Sequence, residues 1–120
     1  GPDPALTDIH TRVTRIDASG ERVWRLGSGD ADLILPFNRE SLVGVNLGSG
    51  VFPAGFRGFS TADGKRQWQI EADAERLAEF SLADPWLGAV YREQGNFRAR
   101  IYRFSGSAEN TDNSNESEGN

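Results

Sequence analysis

The strongest constraint on this chain is an apolar/polar alternation with a period of two, repeated in short segments and broken by glycine-containing turns. Such alternation belongs to strands with one face in a core and the other in water. In residues 8–17, Ile9, Thr11 and Val13 fall on one face and His10, Arg12 and Thr14 on the other. Ala18-Ser19-Gly20-Glu21 supplies turn chemistry, and residues 22–26 resume as a strand with Trp24 and Leu26 on one side. Residues 31–37 read as a strand in which Leu33, Ile34 and Leu35 run consecutively, the mark of burial on both faces. A further strand is expected over 41–47.

Residues 56–61 and 66–72 predict a second hairpin around Ala62-Asp63-Gly64-Lys65, because Asp-Gly suits a tight primed turn. Trp68 and Ile70 share one face of it. Residues 73–80 predict the one helix: Asp73 can cap it, Glu75 suits its first turn, and Ala74, Leu77 and Ala78 form a short stripe. A third hairpin is expected from residues 87–92, a turn at 93–95 and residues 96–104. About eight strands with one short helix predict an all-β fold, an antiparallel β-sandwich, with a small β-barrel as the alternative.

One internal echo is present. Residues 16–26 align with residues 60–70, each carrying a turn glycine (Gly20, Gly64) and a tryptophan four residues on (Trp24, Trp68). The first copy locally resembles a blade hairpin of quinoprotein-type propellers. A propeller needs at least four blades, so the echo reads as two hairpins with like turn chemistry and an inward tryptophan.

At 120 residues the chain suits one domain. Gly1-Pro2 reads as the scar of a cleaved tag, and residues 1–6 as a flexible N-terminus. Residues 7–104 are assigned to the β-sandwich. Residues 105–120 hold no aromatic, no aliphatic larger than Ala and no cation, so a disordered tail is expected. The tail acids Glu109, Asp112, Glu116 and Glu118 account for four of the five net negative charges. The folded part is thus near neutral, which argues against a nucleic-acid partner. No apolar run approaches the ~18 residues of a membrane span. The absence of cysteine suits an extracytoplasmic protein, periplasmic or secreted.

Catalytic sets are incomplete. A serine nucleophile needs a histidine base, and the single histidine, His10, sits mid-strand with no Gly-x-Ser-x-Gly turn anywhere in the chain. Gly58 to Lys65 ends in Gly-Lys, but Arg66 stands where a phosphate loop needs Ser or Thr. Asp30 and Asp32 offer two hard oxygens where calcium wants six or more. No cofactor and no metal is therefore expected, and no enzyme, with a small carboxylate-based hydrolase as the least favoured reading.

Two surfaces are candidates for binding. Alternation over 96–104 sends Phe97, Ala99 and Ile101 toward the core and Arg98, Arg100 and Tyr102 outward, as a platform for anionic groups, sugars or peptide. Arg12 extends that platform if the first and last strands pair. The second surface is the segment holding Phe52, Phe56, Arg57 and Phe59, where rings beside an arginine are typical partner anchors. The expected function is a non-enzymatic module that binds a protein partner through a sheet face or the Phe-rich loop. A carbohydrate or anionic envelope polymer is the alternative ligand.

Overall fold

The computed structural model describes residues 12–105. Nine antiparallel strands run in chain order: β1 (Val13–Ile16), β2 (Arg22–Leu26), β3 (Leu33–Asn38), β4 (Ser41–Asn46), β5 (Gly55–Ser60), β6 (Arg66–Glu71), β7 (Arg76–Ala83), β8 (Trp86–Glu93) and β9 (Asn96–Arg103). They form three sheets of simple meander order: β1-β2, β3-β4-β5-β6 and β7-β8-β9. The result is the expected all-β sandwich and not a closed barrel. Among the described residues there is no helix, so none long and apolar enough to cross a membrane.

The four-stranded sheet lies in the middle and is covered on both faces. On one face Val43, Val45, Phe56, Trp68 and Ile70 meet Leu77, Leu87, Ala89, Tyr91 and Tyr102 of the three-stranded sheet in the main core. On the other face Ile34, Leu42 and Phe59 meet Leu26, Val13 and Trp24 of the β1-β2 hairpin, with Ala31 from the loop between. The consecutive Leu33, Ile34 and Leu35 serve this arrangement: Ile34 points to the hairpin side, and Leu33 and Leu35 to the main core.

Close approach of the layers depends on glycine at two positions. Gly58 is paired with Trp68 across β5 and β6, and a Cβ at Gly58 would lie 2.1 Å from the indole Cε2. The bare backbone lets the indole lie flat over the strand, where Phe104 packs on it at 5.9 Å between centroids. Gly64, in the left-handed region at φ +74°, brings the β5-β6 turn under the Trp24 ring. The β1-β2 hairpin is then pinned there, because Arg15 and the Trp24 indole N–H both donate to the Thr61 carbonyl. The turn of that hairpin is tied by Asp17, whose carboxylate accepts from the Ser19 hydroxyl and from the Glu21 N–H. These bonds hold the Asp17 carboxyl below its ordinary value.

The sequence expectation of a helix over 73–80 is overturned. Residues 76–83 form β7, with a register shift between Leu77 and Glu79 where they pair with β8. That bulge leaves Ala78 extra, so Leu77 and Phe80, three apart, both pack on the main core. Of the stripe expected for a helix, Ala74 and Leu77 do pack on the main core, but Ala78 is exposed. The strand expected over 31–37 begins two residues later, at Leu33. His10, the start of the strand expected over 8–17, the flexible segment 1–6 and nearly all of the tail at 105–120 lie outside the described residues.

Replacement of Gly58 by Ala forces a methyl group into the Trp68 indole. The expected loss is about 2–3 kcal/mol, read as a lower urea midpoint at unchanged slope.

Candidate functional site

The last hairpin decides which residues face solvent. Its turn has two residues, Gln94 and Gly95, both with positive φ (52° and 83°), the requirement of a type I′ connection. Glu93 therefore pairs with Asn96, Tyr91 with Arg98, Ala89 with Arg100 and Leu87 with Tyr102. Directly paired residues share a sheet face. Since Leu87, Ala89 and Tyr91 face the core, so do Arg98, Arg100 and Tyr102.

This inverts the expected orientation of β9. Tyr102 is fully buried, its ring edge-on to Phe56 at 6.0 Å and its hydroxyl 3.2 Å from that of Tyr91. The two phenols satisfy each other inside the core, where an unpaired hydroxyl would be costly. Phe97 (68% exposed) and Ile101 (58%) instead point outward, with Trp86 (47%) on β8 beside them. The expectation that Phe97, Ala99 and Ile101 face the core rests on alternation over 96–104, which does not say which row is inward; the turn is one residue shorter than the 93–95 expected. A turn one residue shorter moves every side chain of the strand to the other face.

Arg98 and Arg100 do come together, but at the rim of the inner face rather than on an open platform. Glu93 accepts from both, at 3.1 Å from Arg98 and 3.2 Å from Arg100. Arg100 also lies over the Tyr91 ring, 5.8 Å from its centroid. They line an open cleft of about 680 Å³ with Asp73, Glu75, Glu93 and Asn96. Glu75 in turn pairs with Arg92 at 3.4 Å. With Arg92 counted, three arginines meet three carboxylates (Asp73, Glu75 and Glu93) around the cleft, so it carries no net charge.

The other candidates do not join this site. Arg12 is exposed and lines a separate depression with Arg25, Gly27 and Ser28, because β1 pairs with β2 and not with β9. Phe56 and Phe59 point to opposite faces of β5 as expected, yet both are buried, because each face of the middle sheet has a core. Phe52 is half-buried beneath the Arg57 guanidinium, 4.6 Å from its ring centroid, and Arg57 donates to the Asp30 carbonyl. The Phe-rich segment is thus packing rather than an exposed anchor. The Asp30 and Asp32 carboxylates accept from the Gly27 and Leu47 backbone N–H groups and so tie loops. Among the described residues no group of three or more His, Cys, Asp or Glu side chains is set to hold a metal ion.

What remains open is the outer face of β7-β8-β9. Trp86, Val90, Phe97, Ala99 and Ile101 lie on it, and Arg103 caps the Trp86 ring at 5.7 Å. Gly88, whose bare backbone lies beside the Ser81 hydroxyl, floors a shallow depression of about 220 Å³ between Ser81, Val90 and Ile101. Sequence alternation alone does not mark this face. The turn pair Gln94-Gly95, combined with an apolar Leu87, Ala89 and Tyr91 row, does.

No family model, curated protein or solved structure matches this chain.

Buried and exposed phenylalanines separate by mutation. Phe56→Ala is expected to cost about 3–5 kcal/mol, whereas Phe97→Ala changes stability by no more than about 0.5 kcal/mol. Thermal or urea unfolding of the two variants checks this.

Proposed function

We propose that this chain is a non-catalytic interaction module that binds a protein partner through the outer face of β7-β8-β9. The observation that carries the reading is the row of Phe97, Ile101 and Trp86 on one open sheet face, beside two cores that are otherwise closed. Exposed aromatic side chains flanked by arginine are the usual energetic centres of protein interfaces. Covering such a face recovers about 25 cal/mol for each Å² of apolar surface removed from water. The same reading sets the module outside the cytoplasm, in keeping with a chain that has no cysteine.

A carbohydrate or anionic polymer in the Arg98/Arg100 cleft is the second reading. It is favoured by two guanidinium forks at one cleft and opposed by Glu93, which already occupies both.

Phe97→Ser with Ile101→Ser is expected to keep the amide spectrum of the folded protein and to lose a partner that the wild type captures from its source lysate. Glu93→Gln is expected to leave that capture intact. Capture insensitive to the Phe97/Ile101 change but strengthened in Glu93→Gln, and abolished by salt, would instead favour the anionic ligand.

A further inference from the structure

Strand pairing rules the outer face of β7-β8-β9 into four cross-strand rows, since directly paired residues share a face. Arg76, Arg92 and Phe97 form the first, and Glu79, Val90 and Ala99 the second. Ser81, Gly88 and Ile101 form the third, and Ala83, Trp86 and Arg103 the fourth. Midway runs the row of Phe80, Ala89 and Arg100, whose side chains point inward.

The rows on either side of that middle row complement each other. At equal distances from it, Val90 answers Gly88 on β8, and Ile101 answers Ala99 on β9, a larger side chain against a smaller one each time. Phe97 answers Arg103, which lies over the Trp86 ring. Arg76 answers Ala83, and Asp84 comes next in the chain. Among the described residues Arg76 has no carboxylate partner, and Asp84 meets no cation, accepting a long bond of 3.4 Å from the Asn38 amide.

A two-fold axis along the middle row, between two copies of the face, brings each row over its opposite. Sheets stacked in this way lie about 10 Å apart with strands aligned and side chains interdigitated. Val90 of each copy enters the depression over Gly88 of the other. Ile101 covers Ala99, Phe97 meets the Arg103–Trp86 pair, Glu79 faces the Ser81 hydroxyl, and Arg76 reaches Asp84. Arg92, already neutralised by Glu75, comes over Trp86. The other in-plane axis, along β8, sets Arg92 over Arg92 and Gly88 over Gly88, which adds repulsion and a void.

We propose that the occupant of this face is a second copy of the chain, and that the protein forms a weak two-fold dimer by stacking its β7-β8-β9 sheets. The inference rests on the protein-partner reading and names that partner. Each face is three strands of eight residues, about 26 by 14 Å at ordinary strand dimensions. Two such faces bury on the order of 1,000 Å², the foot of the range for specific interfaces, so the dimer dissociates on dilution. Stacking leaves the sheet edge free. The Glu93–Asn96 pair closes its two-residue turn with a double bond, so the Arg98 and Arg100 N–H groups point to β8 and those of Phe97, Ala99 and Ile101 away from it. The Phe104 N–H bond to the Pro85 carbonyl continues that alternation.

The test measures the mass of the full chain by sedimentation from about 1 μM to about 1 mM, the span over which a weak dimer dissociates, with amide NMR over the same series. The expected result is a rise from monomer to dimer, with shifts concentrated at Gly88, Val90, Phe97, Ala99 and Ile101. Phe97→Ser with Ile101→Ser, and Gly88→Leu, which fills the depression, should each weaken the dimer about tenfold or more. Arg76→Asp and Asp84→Arg should each weaken it about tenfold, because two symmetry-related pairs become like charges, and the two together should restore it. If Gly88→Leu does not fold, the charge exchange still decides the matter.

A monomer at every concentration overturns the proposal. A lysate partner lost in Phe97→Ser/Ile101→Ser then leaves the protein-partner reading standing with a different protein, whereas no lysate partner, or one indifferent to that change, defeats both. A dimer indifferent to all of these variants also overturns the proposal, as does a charge exchange that fails to restore it. Exchange at the Phe97, Ala99 and Ile101 amides slowed to the rate of Arg98 at high concentration assigns the dimer to the β9 edge and overturns the stacking.

Discussion

Strand β4 is buried at each of its six positions, from Ser41 to Asn46, and the rest of the molecule is arranged around that fact. A strand can lose solvent on both faces only if a layer lies on each side. Here the β1-β2 hairpin covers one side and β7-β8-β9 the other. The hairpin side is tight enough that Gly44 has no room for a side chain: a Cβ there would lie 2.7 Å from that of Ala31 and 2.9 Å from the Phe59 ring. One polar side chain drawn into this environment is bonded, while the buried Trp68 indole N–H and Arg57 Nε find no partner among the described residues. The buried Asn46 side chain accepts from the Asp32 N–H, and Asp32 answers by accepting from the Leu47 N–H.

Covering the middle sheet twice leaves the third sheet covered once. Its inner face is committed to the main core through Leu77, Leu87, Tyr91 and Tyr102, so any apolar residue on its outer face meets water unless something binds there. Arg98 and Arg100 stand on the opposite face, where Glu93 holds both, whereas Arg103 lies on the outer face over Trp86.

Much of the fold was legible in the sequence. The hairpins could be placed from Asp63-Gly64 and from the period-two runs, and the paired burial of Leu33, Ile34 and Leu35 followed from their being consecutive. Two local irregularities defeated the same reasoning. The capped stripe Ala74, Leu77 and Ala78 read as a helix where a bulged strand stands, and alternation along β9 could not say which row faces in, which the two-residue turn decides. The Phe-rich segment failed for a different reason. Alternation correctly sent Phe56 and Phe59 to opposite faces, but nothing local says that both faces of that strand are covered, since the covering layers come from distant parts of the chain. Of the candidate site, Arg98 and Arg100 were found from sequence and their setting was not. Phe97 and Ile101 were placed on the wrong face, and Trp86, just after Asp84-Pro85, had offered only a weaker sign of an exposed ring.

A doubly covered middle sheet thus supports an outer sheet with an open edge among the described residues. Amide hydrogen exchange of the isolated chain tests it most directly, because protection follows both burial and bonding. The account predicts that β4 and β5 amides exchange only through global unfolding. Within β9, the amides of Arg98 and Arg100 should be protected and those of Phe97, Ala99 and Ile101 should exchange fast. Uniform protection along β9, or exchange in β4 as fast as at Phe97, would contradict it.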